Sequence, residues 1–224
     1  MDKKPTLAIL GGSGDLGGGL AYRWAKAGYP LVIGSRDPAK AAQAAGDIRA
    51  AAGGGTVTGA DNAAAAAAAD IIVLAVPNES HDAMVAIIRD AAKGKIVVDT
   101  TVPLAPPKVS TVNLPPAGSI GKATQDALGP EVRVVAAFHN VAADHLRHDH
   151  GIDCDVLVFG NDAEAREAVV RLATDAGLKG WHAGAIANAV VGEALTSVLI
   201  FINRRYKIDG AGVRITGTPK PGAA

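Results

Sequence analysis

Residues 6–17 read Thr6-Leu7-Ala8-Ile9-Leu10-Gly11-Gly12-Ser13-Gly14-Asp15-Leu16-Gly17, an apolar run that breaks into glycines and opens directly into a helix-compatible stretch, Leu16–Ala27. The pattern G-x-G-x-x-G falls at Gly12, Gly14 and Gly17. With a strand before it and a helix after it, each glycine has an expected use. Gly12 permits the tight turn, Gly14 lets a pyrophosphate approach the backbone, and Gly17 lets helix and strand pack closely. The helix start adds unpaired N–H groups and the positive end of a dipole. The loop as a whole, Ser13, Asp15 and Leu16 included, is therefore expected to contact a dinucleotide, against the plainer reading of an ordinary glycine-rich turn.

Working outward, short apolar runs alternate with longer alanine-rich stretches. Strands are expected at 6–10, 31–33, 56–58, 71–75, 96–99 and 132–138, with helices at 16–27, 38–52, 62–69, 80–92 and 119–128. Runs such as Ile71-Ile72-Val73-Leu74 have no polar face, which implies strands covered by helices on both sides. The fold class is α/β, a doubly wound parallel sheet of the Rossmann kind with right-handed crossovers. Val102–Pro116 carries five prolines, which excludes regular helix or central strand and suggests an ordered wall beside a ligand cleft. A smaller strand-helix-strand extension follows at 156–159, 163–176 and 179–182, and then a terminal helix, Ala187–Arg204. The expected division is a nucleotide-binding domain over 1–147 and a smaller C-terminal domain over 148–224 that caps the substrate and assembles subunits. The tail Thr216–Ala224, rich in Gly, Pro and Thr, is expected to lack order.

Composition narrows the function. Twenty-two Lys plus Arg balance twenty-two Asp plus Glu over 224 residues, which argues against a general nucleic-acid binder. One cysteine, Cys154, allows no intrachain disulfide and fits a reducing compartment. Mean hydropathy is +0.21, yet no run approaches the roughly 18 consecutive apolar residues of a bilayer span. The apolar stretch after Met1-Asp2-Lys3-Lys4 ends in glycines, unlike a signal-peptide core. The expectation is a cytoplasmic protein with no membrane partner.

The end of the second strand selects the cofactor. An NAD site commonly places a carboxylate there to hold the ribose 2′-hydroxyl, roughly 20 residues past the glycine motif. Here the chain reads Gly34-Ser35-Arg36-Asp37-Pro38-Ala39-Lys40. Ser35, Arg36 and, one helical turn on, Lys40 suit a 2′-phosphate, so NADP is preferred. The competing reading makes Arg36 and Asp37 a surface ion pair.

The loop Gly11–Gly19, the step Ile33-Gly34-Ser35-Arg36 and the step Ala75-Val76-Pro77 together resemble the NADPH-dependent reductases of the deazaflavin coenzyme F-420. The likeness runs from residue 6 to about residue 205. It implies that Ser13, Ser35, Arg36 and Lys40 hold the 2′-phosphate and that Val76, Pro77 and Asn78 lie beside the nicotinamide ribose. It further implies that the step Phe138-His139-Asn140-Val141 meets the second substrate, with His139 and Val141 against the deazaflavin ring. The same likeness implies a homodimer or higher homo-oligomer in which the terminal helix takes part.

Hydride transfer requires two stacked rings rather than an acid-base dyad, and the cofactors supply the reactivity. His139 or Asn140 is the expected donor toward charge developing on the acceptor. The plainer reading of His139 is a satisfied histidine at a strand end. His145, His148, His150 and Cys154 match no standard zinc spacing, so no metal is expected and a solvated or substrate-facing loop is preferred. Asp99 either shapes the cleft or caps a turn. Glu193, polar among apolar neighbours, faces solvent or the cleft. Trp24 and Trp181 are packing residues. Other acceptors, a pterin, a flavin or an imine, keep the same cofactor site, and a non-catalytic NADPH sensor is the alternative of another class.

Overall fold

The computed structural model describes residues 3–220. In chain order the elements are β1 (Leu7–Leu10), α1 (Asp15–Lys26), β2 (Leu31–Ser35), α2 (Pro38–Ala51), β3 (Val57–Asp61), α3 (Asn62–Ala68), β4 (Ile71–Leu74) and α4 (Asn78–Ile88). They continue as β5 (Ile96–Asp99), α5 (Ile120–Leu128), β6 (Arg133–Ala136), α6 (Ala143–Leu146), β7 (Asp155–Gly160), α7 (Ala163–Asp175), β8 (Lys179–His182) and α8 (Ala189–Tyr206). The strands form one eight-stranded sheet in the order β3-β2-β1-β4-β5-β6-β7-β8.

Pairing from β3 through to β6 is parallel, as continuous apolar strands require. Side chains alternate across the sheet. Leu7 and Ile9 join the core cluster on the face covered by α1, α2 and α7, while Ala8 and Leu10 join the cluster on the face covered by α3, α4 and the start of α8. A correction to an all-parallel sheet comes at β7, which runs antiparallel to β6 and extends the same sheet into the C-terminal unit. A parallel return needs a covering crossover. The connection after β6 instead lays the four-residue α6 against α1. There Arg23 donates from Nε to the Leu146 carbonyl at 2.9 Å and from Nη2 to the carbonyls of His145, His148 and His150. The histidine-bearing stretch is thus a clasp on the outside of α1, with Leu146 fully buried and Arg147 to His150 exposed to solvent.

Helix starts follow local chemistry. Asp37 accepts from the Ala39 and Lys40 amides ahead of Pro38, Asp61 from Ala64, Ser119 from Lys122 and Asp162 from Ala165. The start of α1 differs, because its N-cap, Gly14, offers no side chain and leaves the first-turn amides open.

The segment Val102–Pro116 carries no helix or strand, as its prolines dictate. Residues 216–220 of the tail also lack regular structure, and 221–224 lie outside the described residues. Trp24 is fully buried and donates to the Leu172 carbonyl at 2.8 Å, and Trp181 donates to Asp155 at 2.7 Å.

One helical stretch, Ile186–Tyr206, is long and apolar enough by composition to cross a bilayer. Its polar residues are nonetheless engaged with the rest of the fold. Glu193 binds the start of α5, and Asn140 donates to the Gly192 carbonyl and the Thr196 hydroxyl.

Candidate functional site

The glycine loop is built by close backbone packing. Gly11 has φ +88°, and a Cβ there would lie 2.3 Å from the Ala75 carbonyl oxygen, so the left-handed position of the turn falls at Gly11 rather than at Gly12. Gly12 instead packs on Ile33. The Gly14 amide closes the turn onto the Gly11 carbonyl at 2.9 Å. Gly17 allows α1 to approach β1, since a Cβ would stand 2.5 Å from the Gly11 oxygen. Asp15 does not place an unopposed negative charge at this anion site. Arg147, from the clasp, pairs with it at 3.1 Å.

A cavity of about 470 Å³ lies at the carboxyl ends of β1, β2 and β4. Gly11, Ser13 and Gly14 form one side, Ser35 and Arg36 the next, and Val76 and Pro77 the far side. A groove of about 540 Å³ on the other side of the loop is lined by Gly12, Ser13, Lys40 and Arg147. Ser13 borders both, so the cations expected at a 2′-phosphate flank one serine. Asp37 is spent on capping α2, at 2.9 Å from the Ala39 amide, and makes no ion pair with Arg36 among the described residues. That removes the competing reading of Arg36. Leu16 packs against the core beneath the loop, and Asn78 opens α4 without lining the cavity.

The ends of β5 and β6 carry a buried polar network. Asp99, with no exposure, accepts from the Thr101 amide at 3.0 Å and the Thr124 hydroxyl at 2.6 Å, and contacts His81 Nε2 at 2.9 Å. Burial works to raise the Asp99 carboxyl, but the hydrogen bond and charge of His81, with help from Thr124 and Thr101, hold it below its ordinary value. Burial works to lower His81, and Asp99 and Asp82 overcome this and raise it. The two are joined by that hydrogen bond, and each favours the charged form of the other. Asp99 therefore does cap a turn.

Glu193, 2% exposed, faces neither solvent nor cleft. It reaches from α8 to α5 and accepts from the Ile120 and Gly121 amides at 2.7 and 2.9 Å. Burial pushes it up to about 7, against these hydrogen bonds, with the Asp99 charge adding to the rise.

Phe138 holds a left-handed φ of +65°, rare for a bulky residue. Its ring enters the core edge-on to Trp24, with centroids 5.7 Å apart, while the following residues turn toward α8. His139 is 7% exposed, and its Nε2 has no hydrogen-bond partner. Burial lowers it to about 4, against the Asp99 charge, so the ring is neutral. It is not the satisfied histidine of the plainer reading. Asn140 has both donors committed, at 2.8 Å to Gly192 and 3.2 Å to Thr196, which removes it as a donor toward an acceptor molecule. Val141 lies in the core, 8% exposed. The structure thus gathers the loop, Ser35, Arg36, Val76 and Pro77 around one cavity and leaves His139, Asn140 and Val141 off its wall.

Sequence reasoning missed Asn62, Arg147 and the partners of Asp99, His81 and Thr124. Asn62 was hidden as the first residue of an alanine run, although an asparagine directly after Asp61 at a strand end was a usable signal.

A tightly packed glycine loop, an uncapped helix start and a serine with cations on either side define a dinucleotide-binding site of the Rossmann type. A family profile described as "NADP oxidoreductase coenzyme F420-dependent" matches residues 6–103. The chain is 38% identical over 219 residues to the F420-dependent NADP reductase of Methanocaldococcus jannaschii, covering 94% of this chain and 97% of that protein. It is 37% identical over 222 residues to the reductase of the same name from Methanothermobacter thermautotrophicus, covering 96% of each. A crystal structure of a putative F420-dependent NADP reductase from Arthrobacter sp. FB24 superposes with a TM-score of 0.79 at 27% identity, over 95% of this chain and all of that one. The chain belongs to the F420-dependent NADP reductase family.

Proposed function

We propose that this protein transfers a hydride between NADP(H) and the deazaflavin coenzyme F-420. The observation that carries the proposal is the near-full-length match to reductases of that name. The residues fit the cofactor, because the space that Cβ atoms would fill at Gly11, Gly14 and Gly17 is left for backbone turns, and the first-turn amides of α1 are uncapped. The bound pair of rings supplies the hydride chemistry itself.

The protein's part is placement and shielding. Gly12 and Gly14 hold the pyrophosphate against the start of α1, with Asp15, Leu16 and Gly17 shaping that turn. Ser13, Ser35, Arg36 and Lys40 hold the 2′-phosphate by charge-assisted hydrogen bonds. Val76 and Pro77 support the nicotinamide ribose, with Asn78 just behind. His139, neutral and with Nε2 free, serves the acceptor as a hydrogen-bond donor, and Val141 backs it from the core. Asn140 ties this turn to α8.

The working division places cofactor binding in 1–147 and substrate capping and assembly in 148–224. Homo-oligomer formation is supported by α8, whose Val191, Val198 and Phe201 are 57%, 41% and 56% exposed. A cytoplasmic location is supported by the single, buried, free cysteine.

The test is an absorbance assay with purified protein, NADPH or NADH, and oxidised coenzyme F-420 beside a flavin, a pterin and an imine. NADPH-selective bleaching of the deazaflavin is the expected result. Turnover confined to another acceptor would overturn the substrate, and NADPH binding with no acceptor reduced would leave a sensor.

A further inference from the structure

The run Gly17-Gly18-Gly19 is longer than a dinucleotide motif requires, because the motif ends at Gly17. The other two glycines face the clasp. A Cβ at Gly19 would stand 2.6 Å from Leu146 Cβ, so its absence lets the clasp settle on α1, and a Cβ at Gly18 would already touch the Arg147 guanidinium at 3.4 Å. Arg23 binds the carbonyls of Leu146 and His148, the residues on either side of Arg147. Asp149 accepts from the Tyr22 hydroxyl and the Lys26 ammonium, each at 2.7 Å. The backbone at Arg147 is thereby pinned, while its side chain, 48% exposed, runs over Gly18 toward the glycine loop.

What it meets there is Asp15, the acidic residue in the first turn of α1, where Gly14 supplies no capping side chain. A carboxylate in that turn is favoured by the positive end of the helix dipole, the same end that the glycine loop offers to a pyrophosphate. Side chain and ligand are therefore two anions that share one positive region and repel each other. Arg147 donates from Nη2 to Asp15 Oδ1 at 3.1 Å and to the Gly14 carbonyl at 3.4 Å, and with Gly12 and Ser13 it lines the groove beside the loop. The pair is exposed, so its own contribution to folding is small. Its effect falls on an anion arriving at the same turn.

We propose that Arg147 is a positioning residue for the cofactor: delivered over Gly18 by the clasp, it cancels the Asp15 carboxylate and so opens the start of α1 to the pyrophosphate. It acts through Asp15 and does not read the 2′-phosphate, which sets it apart from Arg36 and Lys40. This rests on the cofactor reading above and deepens it, and it concerns binding alone, whatever the hydride acceptor.

The test is a fluorescence titration of the full chain with NADPH and with NADH for wild type, Arg147→Ala, Asp15→Asn and the variant carrying both changes. Arg147→Ala should bind each dinucleotide about fivefold more weakly, the effect of one surface carboxylate left uncompensated beside a diphosphate. Asp15→Asn should bind at least as tightly as wild type, and the double variant should return to within about twofold of it. Arg147→Gln keeps the side-chain stem and should match Arg147→Ala, which serves should the alanine variant fold poorly. Unchanged affinity in both Arg147 variants would overturn the proposal. So would a double variant no tighter than Arg147→Ala, the mark of a direct phosphate contact or of a loosened clasp. A loss confined to NADPH would also overturn it, because the two ligands differ only in the 2′-phosphate. Wild type that bound neither dinucleotide would overturn the cofactor reading itself, whereas tight wild-type binding that the Arg147 variants retain would overturn only the part given to Arg147.

Discussion

Replacing Glu193 by glutamine tests the internal contact that joins α8 to the substrate side of the sheet. The carboxylate is 2% exposed and caps α5 through two backbone amides, at 2.7 and 2.9 Å. Burial raises it from 4.5 to about 7, so the folded protein holds a proton that the unfolded chain has released. A group whose folded value is raised stabilises most below its unfolded value, and that contribution drains away as pH rises through the folded one. At about 1.36 kcal/mol per pH unit, integration gives a loss of about 2.5 kcal/mol between about pH 5 and about pH 8. Glutamine does not titrate, and at one of the two amides it sets a donor against a donor. Glu193→Gln should therefore be the less stable protein at about pH 5, with the gap shrinking by about 2.5 kcal/mol toward pH 8. Urea unfolding of both proteins across this range measures the gap. A gap independent of pH would mean that Glu193 ionises like an exposed glutamate. A gap that widened with pH would mean that its carboxylate is favoured, and either result would refute the reasoning.

Arg36→Ala should weaken NADPH by about 10- to 100-fold while changing NADH much less, because one charge-assisted contact to the 2′-phosphate is lost. Equal losses in a fluorescence titration would remove Arg36 from that role. Gly17→Ala places a Cβ 2.5 Å from the Gly11 oxygen, where neither backbone can yield cheaply, so the loop must shift. NADPH affinity should fall at least tenfold and the melting temperature should drop, while unaltered binding would show that the loop has slack. His139, lowered to about 4 by burial, should show no ring titration by NMR between about pH 5.5 and about pH 8. Its stabilising contribution is complete above its ordinary value of 6.5 and is lost as pH falls toward 4. A midpoint near 6.5 would mean that the ring is open to water.

What could be read from the sequence followed from local rules. A strand buried on both faces has no choice of period, so β1, β4 and β5 were plain in Ile9, Ile72 and Val97. The glycine loop announced itself because close backbone approach admits only one residue type. The turn at Gly11 was displaced by one position, since two adjacent glycines, Gly11 and Gly12, give the sequence no way to show which one adopts the left-handed conformation. The antiparallel β7 was not legible because direction depends on where the preceding chain packs, here on Arg23 of α1 through long-range carbonyl contacts. Glu193 and Asn62 were ambiguous for a related reason. Their partners are 72 residues away in one case and absent from the fold in the other.

Direct hydride transfer between two bound rings is the central claim, and an isotope measurement tests it most directly. NADPH carrying deuterium at either face of nicotinamide C4 would be incubated with the protein and oxidised coenzyme F-420, and the reduced deazaflavin analysed by mass spectrometry. Deuterium from one of the two labelled forms, and only one, should be recovered in the reduced deazaflavin. Reduced product without deuterium from either form, or no reduction at all, would contradict the account.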